Sequence, residues 1–333
     1  MNVLVFDTHP YDRQFLDAAN HQGYHKLTYL EARLTRETAP LVDCCEAVCA
    51  FVNDIVNAEV LEILHRKGVR VIAMRCAGYN NVDLKMAASL DISIVRVPEY
   101  SPYAVAEHAV ALLLTLNRKI HRAFNRVREM NFSLNGLVGF DLHGKTVGII
   151  GTGKIGRIFG QIMLGFGCKV LACDVMPHAQ FGELPNVQYV DLSTLYAESD
   201  IISLHAPLTP ETHHLLNETA FEQMKQGVVI INTSRGMLID TVALIQSLKL
   251  GKVGGACLDV YEEEAGIFFM DLSDRVLQDD VLARLITFQN VLITSHQAFL
   301  TREALTNIAE TTLGNLTAFE QSQPLVNAVH ATG

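Results

Sequence analysis

Residues 149–156 read IIGTGKIG, with Gly151, Gly153 and Gly156 falling directly behind an apolar run. Either these glycines only shape a turn, or they let the backbone come close to something else. The neighbouring stretches decide between the two. TVGIIG reads as a buried strand, and KIGRIFGQIMLGFG reads as a helix opening near Lys154. The next strand, KVLACD, ends in Asp174, eighteen positions beyond Gly156. In this order of elements Gly151 allows a tight turn, Gly153 lets the backbone approach a pyrophosphate, and Gly156 lets helix and strand pack closely. The helix start offers free N–H groups and a positive dipole end to phosphates. A carboxylate at Asp174 accepts hydrogen bonds from the adenosine ribose hydroxyls and repels a 2′-phosphate, which favours NAD over NADP. A turn cluster with an unrelated surface acid explains fewer of these features.

The downstream half continues the alternation. IISLHA, VVIINT, GACLD and VLITSH read as further strands with helices between them, such as DTVALIQSLKLG. With the two strands above, six parallel strands and their crossover helices make a complete nucleotide-binding domain. The first hundred residues alternate in the same way: NVLVF, HKLTYLE, AVCAFV, VRVIAMRC and ISIVRV as strands, with YDRQFLDAAN, AEVLEILHRKG and VDLKMAASLD as helices. Continuous apolar strands separated by helices imply a parallel sheet covered on both faces. Pro98 and Pro102 bracket a break. A single long helix, YAVAEHAVALLLTLNRKIHRAFNRVREM, is predicted beyond them. Its first half is apolar nearly all round and should be buried. Its second half carries Arg118, Lys119, Arg122, Arg126 and Arg128, and reads either as a solvated face or as the start of a subunit interface. A final helix, TREALTNIAETTLGNLTAFEQS, follows the completed second set and is expected to return to the first domain.

The bulk numbers agree. A chain of 333 residues suits two domains, and 49% hydrophobic with 19% charged residues supports a large core. A net charge of −10 argues against a nucleic-acid partner, which would need a basic footprint. The N-terminus, MNVLVFDTHPYDR, reads as a first strand and not as a signal peptide. The longest apolar stretch, near Ala109–Leu116, falls far short of the roughly 18 residues that cross a bilayer, so a cytoplasmic protein with no membrane partner is expected. Seven cysteines show no framework spacing; Cys44, Cys45 and Cys49 read as thiols in a reducing compartment, and no metal is expected.

Oxidising a hydroxyl with a nicotinamide moves a hydride and a proton. The protein must handle the proton and hold the substrate. Histidine suits the first task near neutral pH, and arginine suits a carboxylate. Three strand ends supply such residues: Arg235 in INTSRG, Asp259 and Glu264 in LDVYEEE, and His296 in LITSHQAF. All lie at C-terminal strand ends, the edge where open α/β sheets bind ligands. Glu264 follows Glu262 and Glu263, so the acid run is open between a solvated cluster and a specific partner. His205, at another strand end, is open between touching a ligand and a structural role. His213 and His214 are adjacent in a loop and lack a further ligand pattern. Tyr100, Phe299 and Phe51 are open between core and pocket.

The chain resembles the D-isomer-specific 2-hydroxyacid dehydrogenases. The resemblance is carried by RCAGYNNVD (75–83), VPEYSP (97–102), AEHAVALLLTLNRKIHRA (106–123), GTGKIG (151–156), SLHAPLTPET (203–212), INTSRG (231–236), LDVYEEE (258–264) and SHQAFLT (295–301). VPEYSP, HQAFLT and the insertion FFMDLSDRVLQDDV point to the branch acting on D-lactate. The resemblance implies a Rossmann NAD-binding domain, residues 100–296, inserted into a flavodoxin-like substrate domain of residues 1–99 and 297–333. Both are doubly wound parallel-sheet α/β folds. It implies that His296 is the acid–base group, Glu264 its partner, and Arg235 the holder of the substrate's carboxylate and carbonyl. Backbone N–H groups of Cys76, Ala77 and Gly78 help bind the carboxylate, and Tyr100 and Phe299 wall the pocket. The implied NAD site takes Gly151, Gly153, Lys154, Ile155, Gly156, Asp174, Ala206, Pro207, Thr212, Thr233, Ser234, Arg235 and Asp259, the last near the nicotinamide carboxamide. Implied partners are pyruvate or D-lactate and a second copy of the chain, as a dimer through the NAD-binding domains or a tetramer. The implied reaction is fermentative reduction of pyruvate by NADH. Two alternatives stand beside it: a relative for a larger 2-keto acid, and an NADH-sensing binding protein, which would tolerate loss of Arg235, Glu264 and His296.

Overall fold

The computed structural model describes residues 1–331. The chain divides into two compact units, one formed by Met1–Ser101 with Phe299–Gly333 and the other by Pro102–Ala298.

In the first unit, strands β1 (Asn2–Val5), β2 (Lys26–Tyr29), β3 (Ala47–Ala50), β4 (Val71–Met74) and β5 (Ser93–Arg96) form one sheet in the order β2-β1-β3-β4-β5. Every pairing is parallel. This is a doubly wound order whose direction reverses between β1 and β3. β3 and β4 are buried at all positions, so their sequences, AVCA and VIAM, are apolar without alternation. Helices α1 (Pro10–Ala19), α2 (Ala58–Arg66) and α3 (Leu84–Ser89) connect the strands. Their starts are set locally. Asp12 accepts from the N–H of His9, Asn57 from that of Val60, and Asp83 from that of Met86. The chain's last helix, Arg302–Glu320, is capped by Thr301 and lies against α1 and β4. Its Ala309, Leu313 and Leu316 join Val3, Val5, Val71, Ala73 and Val95 in one core.

The second unit opens with α4 (Pro102–Asn117) and α5 (Ile120–Arg128). The single helix predicted here is two, because Lys119 takes a left-handed conformation at φ 52° and breaks the hydrogen-bond ladder. α4 buries Ala106, Ala109 and Leu113 completely, whereas α5 buries none of its residues. There follow β6 (Thr146–Ile150), α6 (Lys154–Gly165), β7 (Lys169–Cys173), α7 (Ala179–Gly182), β8 (Val187–Tyr189), α8 (Leu192–Glu198) and β9 (Ile201–Leu204). The unit continues with α9 (Glu218–Gln223), β10 (Val228–Asn232), α10 (Thr241–Lys249), β11 (Val253–Leu258), α11 (Asp280–Leu285) and β12 (Val291–Ile293). The sheet has seven strands, not the six predicted, in the order β12-β11-β10-β9-β6-β7-β8. The added edge strand β8 has three residues, VQY, none of them buried, and so lacks a readable apolar run. All pairings are again parallel, and the order reverses between β6 and β9. Strand ends in such a sheet share one edge. Gly151, Asp174, His205, Thr233, Asp259 and Thr294 each follow a strand directly and therefore line that edge. Among the described residues, no helix is long and apolar enough to cross a membrane.

Candidate active site

The glycine loop sits at the reversal of the second sheet. Gly151 has φ +95°, and a Cβ there would meet the backbone of His205 and Ala206 at 2.6–2.7 Å. Gly156 is closed off just as firmly, since its Cβ would meet the carbonyl oxygen of Gly151. Gly153 differs, because a Cβ there would meet no atom within 4 Å. Two glycines thus answer to the protein's own packing, and the third faces open space at the start of α6. That is the requirement of a backbone approached by a phosphate group. Lys154 and Ile155 form the first turn of α6 behind it.

Asp174 leaves the end of β7 and turns toward this loop. Its Oδ2 accepts from the N–H and the hydroxyl of Thr152, and its Oδ1 from the N–H of Met176. Burial alone would push the carboxyl up. Hydrogen bonds from Met176 and Thr152 and the charge of Arg157 outweigh it and hold Asp174 below the usual range. The Tyr189 hydroxyl donates to Thr152 Oγ1 at 2.9 Å, which braces the arrangement from β8. Thr152 and Tyr189 were not picked out from sequence, since Thr152 is an unspecified position of the glycine pattern.

At the ends of β9 and β10, Ser234 Oγ donates to the Ala206 carbonyl at 2.7 Å and Thr212 Oγ1 to the Pro207 carbonyl at 2.7 Å. The Thr233 hydroxyl is buried and has no hydrogen-bond partner, which suits a bound ligand. Together with the open Gly153 and the carboxylate of Asp174, it shows that these residues fit a dinucleotide. His205 packs on Phe159, with ring centroids 5.1 Å apart, and lies 2.9 Å from Ser203 Oγ. Burial lowers its pKa to about 3, so this imidazole stays neutral.

Arg235 is half-buried on the turn after β10, and its Nη1 donates to the Ser234 carbonyl at 2.8 Å. His296 follows β12, and its Nδ1 lies 2.8 Å from Glu264 Oε1. The acid run is thereby sorted. Glu264 faces His296, Glu263 is exposed, and Glu262 Oε1 meets His214 Nε2 at 2.5 Å. The second oxygen of Glu262 accepts from the N–H of Thr241 at the start of α10. Glu264 sits in a loop with a small core of its own, Tyr261, Phe268 and Leu282, which fixes where its carboxylate emerges.

Asp259 is 0% exposed and points into the protein. Its Oδ1 accepts from the Thr294 hydroxyl and from the N–H of Gln297 at 2.9 Å, with His108 Nε2 at 3.3 Å. Its Oδ2 accepts from the N–H of Ala298 at 2.8 Å. Its carbonyl accepts from the N–H of His296 at 2.6 Å. Burial pushes this carboxyl up, but the hydrogen bonds from His108, Thr294, Ala298 and Gln297 prevail and hold it low. Asp259 is therefore the anchor of the loop that presents His296, which adopts φ +54°. His108 and Thr294 are parts of this anchor that sequence reasoning missed, because only the fold brings α4 beside β12.

The remaining residues expected at the site belong to the first unit. Arg96 Nη1 donates to the Ala77 carbonyl at 2.7 Å, and the Cys76 thiol to the Gly78 carbonyl at 3.2 Å, which orients the peptides of this segment. Tyr100 meets Phe299 edge-on, with centroids 6.3 Å apart, and Phe299 meets Phe51 at 6.1 Å.

Comparison with known proteins places the chain in a family. The family model for the NAD-binding domain of D-isomer specific 2-hydroxyacid dehydrogenases matches residues 110–298. A D-lactate dehydrogenase of Escherichia coli strain K12 is 54% identical over 98% of this chain and 99% of its own length. The apo-structure of D-lactate dehydrogenase from Escherichia coli superposes with a TM-score of 0.90 at 50% identity, covering 99% of this chain and 100% of that one. A structure described as the pyruvate reductase of Chlamydomonas reinhardtii superposes with a TM-score of 0.94 at 42% identity over 98% of both chains. The open glycine loop, the acid at the end of β7 and the histidine–glutamate pair thus occur in a chain that belongs to the D-isomer specific 2-hydroxyacid dehydrogenases, with an NAD-binding domain as its second unit.

Proposed function

We propose that the protein is an NAD-dependent D-lactate dehydrogenase that reduces pyruvate to D-lactate with NADH in the cytoplasm. The observation that carries this reading is the contact of His296 Nδ1 with Glu264 at 2.8 Å, on a sheet edge that also bears Arg235. With Nδ1 engaged by a carboxylate, Nε2 is the nitrogen left to exchange a proton with substrate. In pyruvate reduction it gives a proton to the ketone oxygen, and in lactate oxidation it takes the proton back. Glu264 favours the tautomer and orientation this needs and stabilises the imidazolium. The bound nicotinamide cofactor supplies or accepts the hydride.

Arg235 presents a planar fork to the carboxylate and carbonyl of the 2-keto acid. The backbone N–H groups of Cys76, Ala77 and Gly78 bind the carboxylate, and Tyr100 and Phe299 limit the space for the methyl group. Gly153, Lys154 and Ile155 hold the pyrophosphate, Asp174 the adenosine ribose, and Ala206, Pro207, Thr212, Thr233 and Ser234 the remainder of the cofactor. Asp259 sits near the nicotinamide carboxamide, its carboxylate also anchoring the His296 loop. The chain works as a homo-oligomer paired through α4 and α5. Supporting this, α5 exposes Ile120, Phe124 and Val127, and the segment after it exposes Met130, Phe132 and Leu134.

Loss of NADH on adding pyruvate, followed by stereospecific assay of the lactate formed, tests the reading. Rapid NADH oxidation yielding D-lactate is expected. NADH binding without turnover of any 2-keto acid would favour a sensor, and preference for 2-ketoisocaproate would favour a relative for larger substrates.

A further inference from the structure

Arg75 stands between β4 and the Cys76–Gly78 segment, and its side chain is 1% exposed. A fully buried guanidinium needs partners. Its Nε lies 3.2 Å from Asp12 Oδ1, its Nη2 donates to the Asp7 carbonyl, and its Nη1 has no hydrogen-bond partner. The guanidinium carbon lies 4.7 Å from the centroid of the Phe51 ring. The Phe51 backbone is held separately. Its N–H donates to Asp54 Oδ2 at 2.6 Å, and its carbonyl accepts from Asn81 Nδ2 at 3.1 Å. Phe51 in turn meets Phe299, and Phe299 meets Tyr100. A chain of contacts thus runs from one buried ion pair through three aromatic rings.

A buried ion pair is a poor way to stabilise a fold, because an apolar pair of the same volume does as well or better. What the guanidinium offers instead is a flat cationic face that fixes the plane of a ring. We propose that the Asp12–Arg75 pair is a specificity-determining positioning element for 2-keto acid reduction. It locks Phe51, and through it Phe299 and Tyr100, so that the aromatic wall stays close enough to exclude side chains larger than methyl. Arg75 touches no reacting atom in this role. The inference rests on the reading of Tyr100 and Phe299 as the pocket wall. It extends that wall to Phe51 and names what holds it.

The test is the double variant Asp12→Asn/Arg75→Met, which removes both charges at once and retains an oxygen to accept from the N–H of His9. The readouts are the ratio of kcat/KM for pyruvate to that for 2-ketoisocaproate, the melting temperature and the NADH dissociation constant. The ratio is expected to fall by about ten-fold, within the range one or two methylenes command in a pocket. NADH affinity should not change, since the glycine loop lies in the other unit. A folded double variant with the wild-type ratio overturns the proposal, leaving a structural role. Arg75→Lys separates charge from shape, and its ratio should also fall; a wild-type ratio there would refute the ring-fixing part. If the double variant does not fold, Phe51→Leu removes the ring that Arg75 holds, and an unchanged ratio in that variant likewise overturns the proposal. A wild-type enzyme that does not turn over pyruvate would refute the functional reading instead, which keeps the two failures distinct.

Discussion

Replacing Asp259 by Asn tests how the histidine loop is held. The side chain keeps its size and loses one acceptor. In the native site Oδ1 serves Thr294 and the N–H of Gln297, and Oδ2 serves the N–H of Ala298. An amide presents one oxygen and one NH2, so whichever way it turns, one backbone N–H of residues 297–298 faces a donor. A buried donor left unpaired costs about 1–3 kcal/mol, and bonds to a charged acceptor lie at the upper end. For a domain of this size each kcal/mol moves the melting temperature by roughly 2–4 °C, so a loss of about 2 kcal/mol means about 4–8 °C. The His296 N–H donates to the Asp259 carbonyl, so the imidazole moves with the loop. A displacement near 1 Å costs on the order of 10²-fold in rate. The sign with pH follows from the lowered pKa of Asp259. A carboxyl held below its unfolded value of about 3.9 adds stability above that pH, and the gain is lost as the pH falls through the folded value. The stability gap between wild type and Asp259→Asn should therefore be full at neutral pH and shrink below about pH 4. Calorimetry across pH and NADH oxidation with pyruvate measure both effects. A variant with wild-type melting temperature and wild-type kcat/KM would refute the anchoring role.

Asp174→Ala should weaken NADH use and narrow the gap between NADH and NADPH, since the carboxylate beside Thr152 is what a 2′-phosphate would meet; steady-state kinetics with both cofactors check this, and an enzyme that used NADPH as readily as NADH from the outset would refute it. Glu264→Gln should lower kcat for pyruvate reduction by at least ten-fold, because the amide no longer stabilises an imidazolium at His296. Glu263→Gln, at an exposed position, should leave kcat within about two-fold and melting temperature within about 1 °C. Equal losses in the two variants would show that Glu264 is not the partner.

The site's legibility in the sequence varied with the kind of constraint. The glycine loop was readable because its spacing reflects backbone sterics within one strand–turn–helix unit, and Gly151 and Gly156 do meet backbone where a Cβ would sit. Parallel sheets were readable because strands such as VVIIN and AVCA are buried on both faces and so are apolar throughout. β8 escaped because three half-exposed residues carry no such run, and the break at Lys119 because nothing in NRKIHRA marks a left-handed residue. The three glutamates are alike in sequence. Only the loop core of Tyr261, Phe268 and Leu282 and the position of His214 send Glu262 and Glu264 to different histidines. Asp259 read as a ligand-facing acid, and its inward turn depends on donors from residues 294–298. Arg75 lay in plain view inside RCAGYNNVD, but a charged side chain at a strand end gives no sign that it is buried against Asp12 and Phe51.

The most direct test of the account is His296→Ala, measured for pyruvate reduction and NADH binding on the same folded preparation. The account predicts a loss of about 10²–10⁴ in kcat, the usual worth of a positioned acid–base group, with NADH affinity nearly unchanged because the proposed holders of phosphates and ribose, Gly153 and Asp174, are left intact. Turnover of pyruvate at the wild-type rate in that variant would contradict it.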